Sequence, residues 1–177
     1  NMLFDLHKLV KKYNIHFQGI LHVGAHLCEE LPVYETYLPR NGIVWIDALP
    51  EKVAESKERY PGIQILNAAV SNDERIVTFH RANNGESSSM LELGTHTKHH
   101  PHIYYVDHFE TMTHRIDDLL QDHYPKFDFN FINLDIQGAE LQALRGMESH
   151  LSHIDYIYTE VNCEELYKGA EIGRAHV

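Results

Sequence analysis

The residues best able to do chemistry stand at the carboxyl ends of short apolar runs. Ile20–Val23 leads into Gly24, Ala25 and His26. Ile43–Ile46 ends at Asp47 and Ala48, and Ile63–Leu66 ends at Asn67 and Ala68. Phe129–Leu134 stops at Asp135, and the last run, Asp155–Val161, carries Glu160 with Asn162 just beyond. Gly24 and Asp47 lie 23 positions apart. That is close to the roughly 20 that part a glycine turn from a carboxylate accepting ribose hydroxyls in nucleoside-binding sheets. The turn reads Gly24-Ala25-His26-Leu27-Cys28-Glu29-Glu30. It lacks the later glycines that let a pyrophosphate rest on a helix N-terminus, and two carboxylates would repel one there. A cationic, phosphate-free cofactor is the better electrostatic match, and S-adenosylmethionine, with its sulfonium and ammonium, is the candidate.

Strand ends make a site only if the strands lie in register. Apolar runs alternate with helical patterns: a short amphipathic helix over 3–13, then strand 20–23, helix 29–38, strand 43–46, helix 51–60 and strand 63–66. Such alternation predicts right-handed crossovers and an α/β fold, a doubly wound, mostly parallel sheet with flanking helices. Ile76–Phe79 reads as an outer or antiparallel strand. Residues 81–112, rich in Asn, Ser, His and Thr, read as a long irregular loop. A helix over 115–121, the strand ending at Leu134, a helix over 138–151 and a last strand over 155–161 complete one domain, residues 1–170. Residues 171–177, Glu-Ile-Gly-Arg-Ala-His-Val, match the translation of a common sequencing-library adapter and are read as an adapter-derived tail.

Charge narrows the partners. Fifteen Lys and Arg against 26 Asp and Glu give a net charge of -11, which argues against nucleic-acid and anionic-membrane contacts. The 15 His residues shrink that deficit as they protonate near pH 6. Two cysteines make no disulfide framework, no apolar run reaches membrane-spanning length, and the N-terminal stretch is no signal peptide. Those features predict a cytoplasmic protein. His96, His99, His100 and His102 lack an obvious further ligand of fixed geometry, and Pro101 extends the segment, so no metal is predicted.

Seven segments in order, HVGAHLCEELPVY, WIDALPEKV, NAAVSN, GESSSML, HRIDDL, NLDIQGAELQALRGM and YTEVNCEELYKGA, resemble the FkbM family of S-adenosylmethionine-dependent methyltransferases over about residues 19–170. The resemblance implies a class I methyltransferase fold and O-methylation of a hydroxyl on a small molecule, sugar or glycan. Gly24, Ala25 and His26 would line the cofactor's amino-acid end, Asp47 would hold its ribose, and Asn67 to Ala69 would border its adenine. Asp135 would lie near the reacting methyl. Two departures stand out. His22 replaces an acid that in many relatives helps bind the methionine ammonium, and Cys28 replaces a glycine. The family pattern also runs past Ala170 into further strands, so a fragment ending there is expected to expose a bare edge and to be unstable.

Side chains outside the turn complete the candidates. Asp135 is the first choice of base for the hydroxyl proton and His96 the second. Ser87, Ser88 and Ser89 are placed to hydrogen-bond the acceptor or a cofactor carboxylate. Glu140 either contacts the acceptor or serves its own helix start, and Glu160 and Asn162 border the acceptor side. Two alternatives stay open: a degenerate, non-catalytic nucleoside-binding domain, and a nucleotide-dependent oxidoreductase.

Overall fold

The computed structural model describes residues 5–93, 100–161 and 167–169. These resolve into two compact units. The first comprises residues 1–67, 126–133 and 153–158; the second comprises 68–125, 134–152 and 159–177.

The first unit is built on a mostly parallel five-stranded sheet. Its strands are β1 (Ile20–Val23), β2 (Ile43–Asp47), β3 (Gln64–Asn67), β7 (Phe131–Leu134) and β8 (Tyr156–Thr159), in the order β3-β2-β1-β7-β8. The order reverses at β1, which makes the sheet doubly wound, as the alternating pattern predicts. β1 pairs β2 in parallel with His22 opposite Trp45, and β2 pairs β3 with Asp47 opposite Asn67. All four residues of β1 and β7 and all five of β2 are buried, as expected of parallel strands covered on both faces.

Helix α1 (Leu6–Tyr13) is shorter than the pattern over 3–13. It starts at Asp5, whose carboxylate accepts from the backbone N–H of His7 and Lys8, and ends at Asn14 in the left-handed region. Helix α2 (Leu31–Tyr34) holds only four of the ten residues predicted helical, and turns continue the chain through Tyr37. Helix α3 (Pro50–Arg59) opens on Pro50, whose missing N–H costs nothing at that position. Leu6, Leu31, Tyr34 and Val53 from these helices pack with Ile20, Trp45, Ile65 and Phe131 in one core. Buried Asn130 ties the strand starts together. Its Oδ1 accepts from Gln18 N at 2.8 Å, while Nδ2 donates to His16 O at 2.8 Å and to Asp155 Oδ2 at 2.9 Å.

The second unit holds a three-stranded sheet in the order β4-β6-β5: β4 (Ala69–Val70), β6 (Tyr105–His114) and β5 (Ile76–Ala82). β6 runs through the segment read as irregular, antiparallel to β5 and parallel to β4. Helix α4 (Ile116–His123) follows it. The helix predicted over 138–151 is two pieces, α5 (Glu140–Arg145) and α6 (Glu148–Leu151), parted at Gly146. A Cβ on Gly146 would overlap the carbonyl oxygen of Ser71, so only glycine lets the two backbones meet. Among the described residues no helix is long and apolar enough to cross a membrane.

Candidate functional site

In the first unit the turn after β1 is fastened to the end of β2. Gly24 N and Ala25 N donate to Ile46 O at 2.9 and 3.1 Å, and His26 N donates to Asp47 Oδ2 at 2.7 Å. Asp47 Oδ1 accepts from Leu49 N at 2.8 Å, and its carbonyl oxygen accepts from Asn67 Nδ2 at 3.0 Å. Asp47 therefore organises the turn before α3, whose N-cap is Leu49, and still carries lone pairs beyond those two bonds. Burial pushes its carboxyl up to about 6, against the pull of the Leu49 and His26 N–H bonds. Ala48 is half-buried beside it, Asn67 is exposed at the end of β3, and Ala68 is buried as the second unit begins.

The turn takes left-handed backbone three times, at Gly24 (φ 88°), His26 (φ 46°) and Cys28 (φ 53°). The last value explains why a glycine suits position 28: a side chain there costs roughly 1–2 kcal/mol of backbone strain. The Cys28 thiol is fully buried. Burial pushes its pKa up to about 12 against a Ser56 hydrogen bond, with the charges of Asp47, Glu30 and Glu29 adding to the rise. A thiol so held is packing, not a nucleophile.

His26 Nδ1 lies 3.0 Å from Glu29 Oε1, and Leu27 N donates to the other oxygen at 3.3 Å. Burial works to raise the Glu29 carboxyl, but its own and Leu27's N–H groups and His26 together hold it below its usual range. A carboxylate only accepts, so Nδ1–H donates to Glu29. Nε2 is buried without a partner; among the described residues only Asn133 Oδ1 shares that condition. With Glu29, buried Glu30 and Asp47 around it, the turn is a cation's environment.

His22 belongs to the core. Its ring stacks on Trp45 at 4.7 Å, and Nδ1 lies 3.0 Å from the hydroxyl of Tyr34, which accepts from Asn133 Nδ2 at 3.0 Å.

In the second unit Asp135 directly follows β7, and its Oδ1 accepts from Gln137 Nε2 at 2.5 Å. It does not cap α5: the N-cap residue there is Ala139. Glu140 serves that helix start instead. Its carboxylate accepts from Ile136 N at 3.0 Å and from Gly138 N at 3.0–3.2 Å, and burial raises its pKa. Glu160, exposed after β8, is also pushed up, first by partial desolvation and then by the negative charge of Asp135. The three serines are buried. Ser87 N and Oγ bond the Asn84 side chain, Ser88 Oγ donates to Gly85 O, and Ser89 Oγ donates to Gln137 O at 2.9 Å. Ser88 bonds within its own loop, while Ser89 reaches Gln137 and Ser87 also bonds Tyr167. Gln137 and Tyr167 escaped the sequence reading, although Gln137 stands inside LDIQGAE between two chosen acids.

His96 and Asn162 lie outside the described residues. Among the described residues no three His, Cys, Asp or Glu side chains are grouped to hold a metal.

A doubly wound sheet whose first turn is bonded to an acid ending the second strand defines a Rossmann-like α/β fold. The Methyltransferase FkbM domain matches residues 22–174, and the chain belongs to that family; it is a methyltransferase by family. Neither the curated proteins nor the solved structures gave a match.

Proposed function

We propose that this chain transfers a methyl group from S-adenosylmethionine to a hydroxyl on a small molecule, sugar or glycan. The observation that carries this reading is the turn after β1. It presents carboxylates where a pyrophosphate would need bare N–H groups, and it leaves His26 Nε2 buried with no partner. These features fit the cofactor. Asp47 has lone pairs left for ribose hydroxyls, the unpartnered His26 Nε2 can bond the cofactor's amino-acid end, and Asn67 and Ala68 would border the adenine. His22 supports the turn from the core through Tyr34 and Trp45.

When bound, the cofactor supplies a methyl activated by its positive sulfur, so the protein's task is mainly placement and exclusion of water. Asp135 would contact the cofactor at its methyl end and take the proton that the acceptor hydroxyl loses. Glu160 and Asn162 would border the acceptor, and His96 is the second choice of base. Ser87, Ser88, Ser89 and Glu140 hold the loops that carry these groups. The working partners are the cofactor and the acceptor, in a cytoplasmic setting.

Calorimetry on the full-length protein with S-adenosylmethionine, S-adenosylhomocysteine and NAD tests the reading. Binding of the first two without the third supports it. Binding of NAD alone favours an oxidoreductase, and binding of both adenosyl ligands without turnover across hydroxyl acceptors favours a non-catalytic domain.

A further inference from the structure

We infer that Gln137 is a positioning residue that orients the Asp135 carboxylate and is itself locked by Tyr167 and Ser89; the inference rests on the role proposed for Asp135. Gln137 is held at three points. Its Nε2 donates to Asp135 Oδ1 at 2.5 Å, its Oε1 accepts from the Tyr167 hydroxyl at 2.7 Å, and its carbonyl oxygen accepts from Ser89 Oγ at 2.9 Å. The direction of this chain is fixed. A carboxylate only accepts, so the amide must turn its NH2 to Asp135, and its oxygen is left for a donor. Tyr167 is that donor. Reversing the amide would set its oxygen against the carboxylate oxygen of Asp135.

The anchors are rigid. Tyr167 is 1% exposed, and Ser89 is fully buried. An antiparallel bridge ties Tyr167 to Leu93, Lys168 N donates to Glu92 O at 2.7 Å, and Ser89 exchanges backbone hydrogen bonds with His80 at 2.8 and 3.0 Å. Gln137 itself takes left-handed backbone (φ 57°) ahead of Gly138 (φ 102°). A glutamine holds that conformation only where its surroundings over-determine it, and such strain gathers at working sites. The bond to Oδ1 sets the plane of the Asp135 carboxylate, and a base is effective only when its lone pair is aimed within hydrogen-bond reach.

The test is calorimetry with S-adenosylmethionine on wild type, Asp135→Asn, Gln137→Met, Tyr167→Phe and the Asp135→Asn/Tyr167→Phe double variant. Asp135→Asn is expected to weaken binding. Tyr167→Phe, which keeps the ring and loses one hydroxyl, is expected to weaken it roughly three- to tenfold, the range of one hydrogen bond. In the Asp135→Asn background the same change should have no further effect, because its influence passes through Asp135. A merely structural tyrosine would cost as much in both backgrounds, and that result overturns the inference. So does wild-type affinity in both Tyr167→Phe and Gln137→Met while Asp135→Asn is weak. Wild-type affinity in Asp135→Asn removes the proposed role of Asp135 itself, and the inference with it. Should Tyr167→Phe not fold, Gln137→Met, at a half-buried position, enters the same cycle in its place.

Discussion

In the ribose role proposed for it, Asp47 would serve fold and ligand with opposite pH dependence. Its folded-state pKa of about 6 lies above the ordinary 3.8, with burial as the main cause. A group raised on folding adds its full stability below the unfolded value and loses it as pH rises through the folded one. Compared with Asp47→Asn, the wild type should therefore gain relative stability as pH falls from 7.5 to 4.5. The steepest slope is about 1.4 kcal/mol per pH unit, read from paired urea denaturations. Ribose hydroxyls donate best to the ionised form, so S-adenosylmethionine affinity should fall as pH drops through about 6 and stay flat in the variant. A wild type and variant with parallel profiles in both measurements would remove Asp47 from the ribose role. The position of Asp47 was legible because a carboxylate ending an apolar run is a local pattern. Its bond to His26 N was not, since it depends on how a strained turn folds back 21 residues away.

At the scale of elements, runs buried on both faces were the readable ones: β1 and β2 fall where the apolar stretches put them, because such strands need nothing but apolar side chains. β6 was missed for the complementary reason. Val106, Phe109 and Met112 recur every third residue, most of the strand is solvent-facing, and backbone pairing with β5 holds it without an alternating pattern. The helix over 138–151 was read as continuous because its apolar spacing is helical, whereas Gly146 breaks it to admit the Ser71 carbonyl. That contact gives a measurable contrast between two glycines. Gly146→Ala forces backbone apart and should cost about 1–3 kcal/mol, lowering the melting temperature by roughly 2–4 °C per kcal/mol. Gly62→Ala meets nothing within 4 Å and suffers only its positive φ of 83°, worth about 1 kcal/mol. Thermal melts that rank Gly62→Ala as the more damaging change would refute the close-approach explanation of the broken helix.

The whole molecule acts on its ligands through charge. A net charge of -11 is a field rather than a contact, and it favours any cationic ligand before the site is reached. Glu29, Glu30 and Asp47 concentrate the same sign at the turn after β1. S-adenosylmethionine carries one net positive charge at neutral pH, while S-adenosylhomocysteine, lacking the sulfonium, carries none. Salt separates the two. Raising ionic strength shrinks the Debye length from about 10 Å at 0.1 M to about 3 Å at 1 M, which screens the field without touching hydrogen bonds to ribose or adenine. Calorimetry at pH 7.5 should show S-adenosylmethionine weakening several-fold between 20 and 500 mM NaCl, with S-adenosylhomocysteine holding within roughly twofold. At pH 6.5 the difference should narrow, because the 15 histidines begin to protonate and the acidic excess falls. Equal salt slopes for the two ligands would mean that the site recognises the adenosyl group alone, and the electrostatic basis for preferring a sulfonium over a phosphate would be gone.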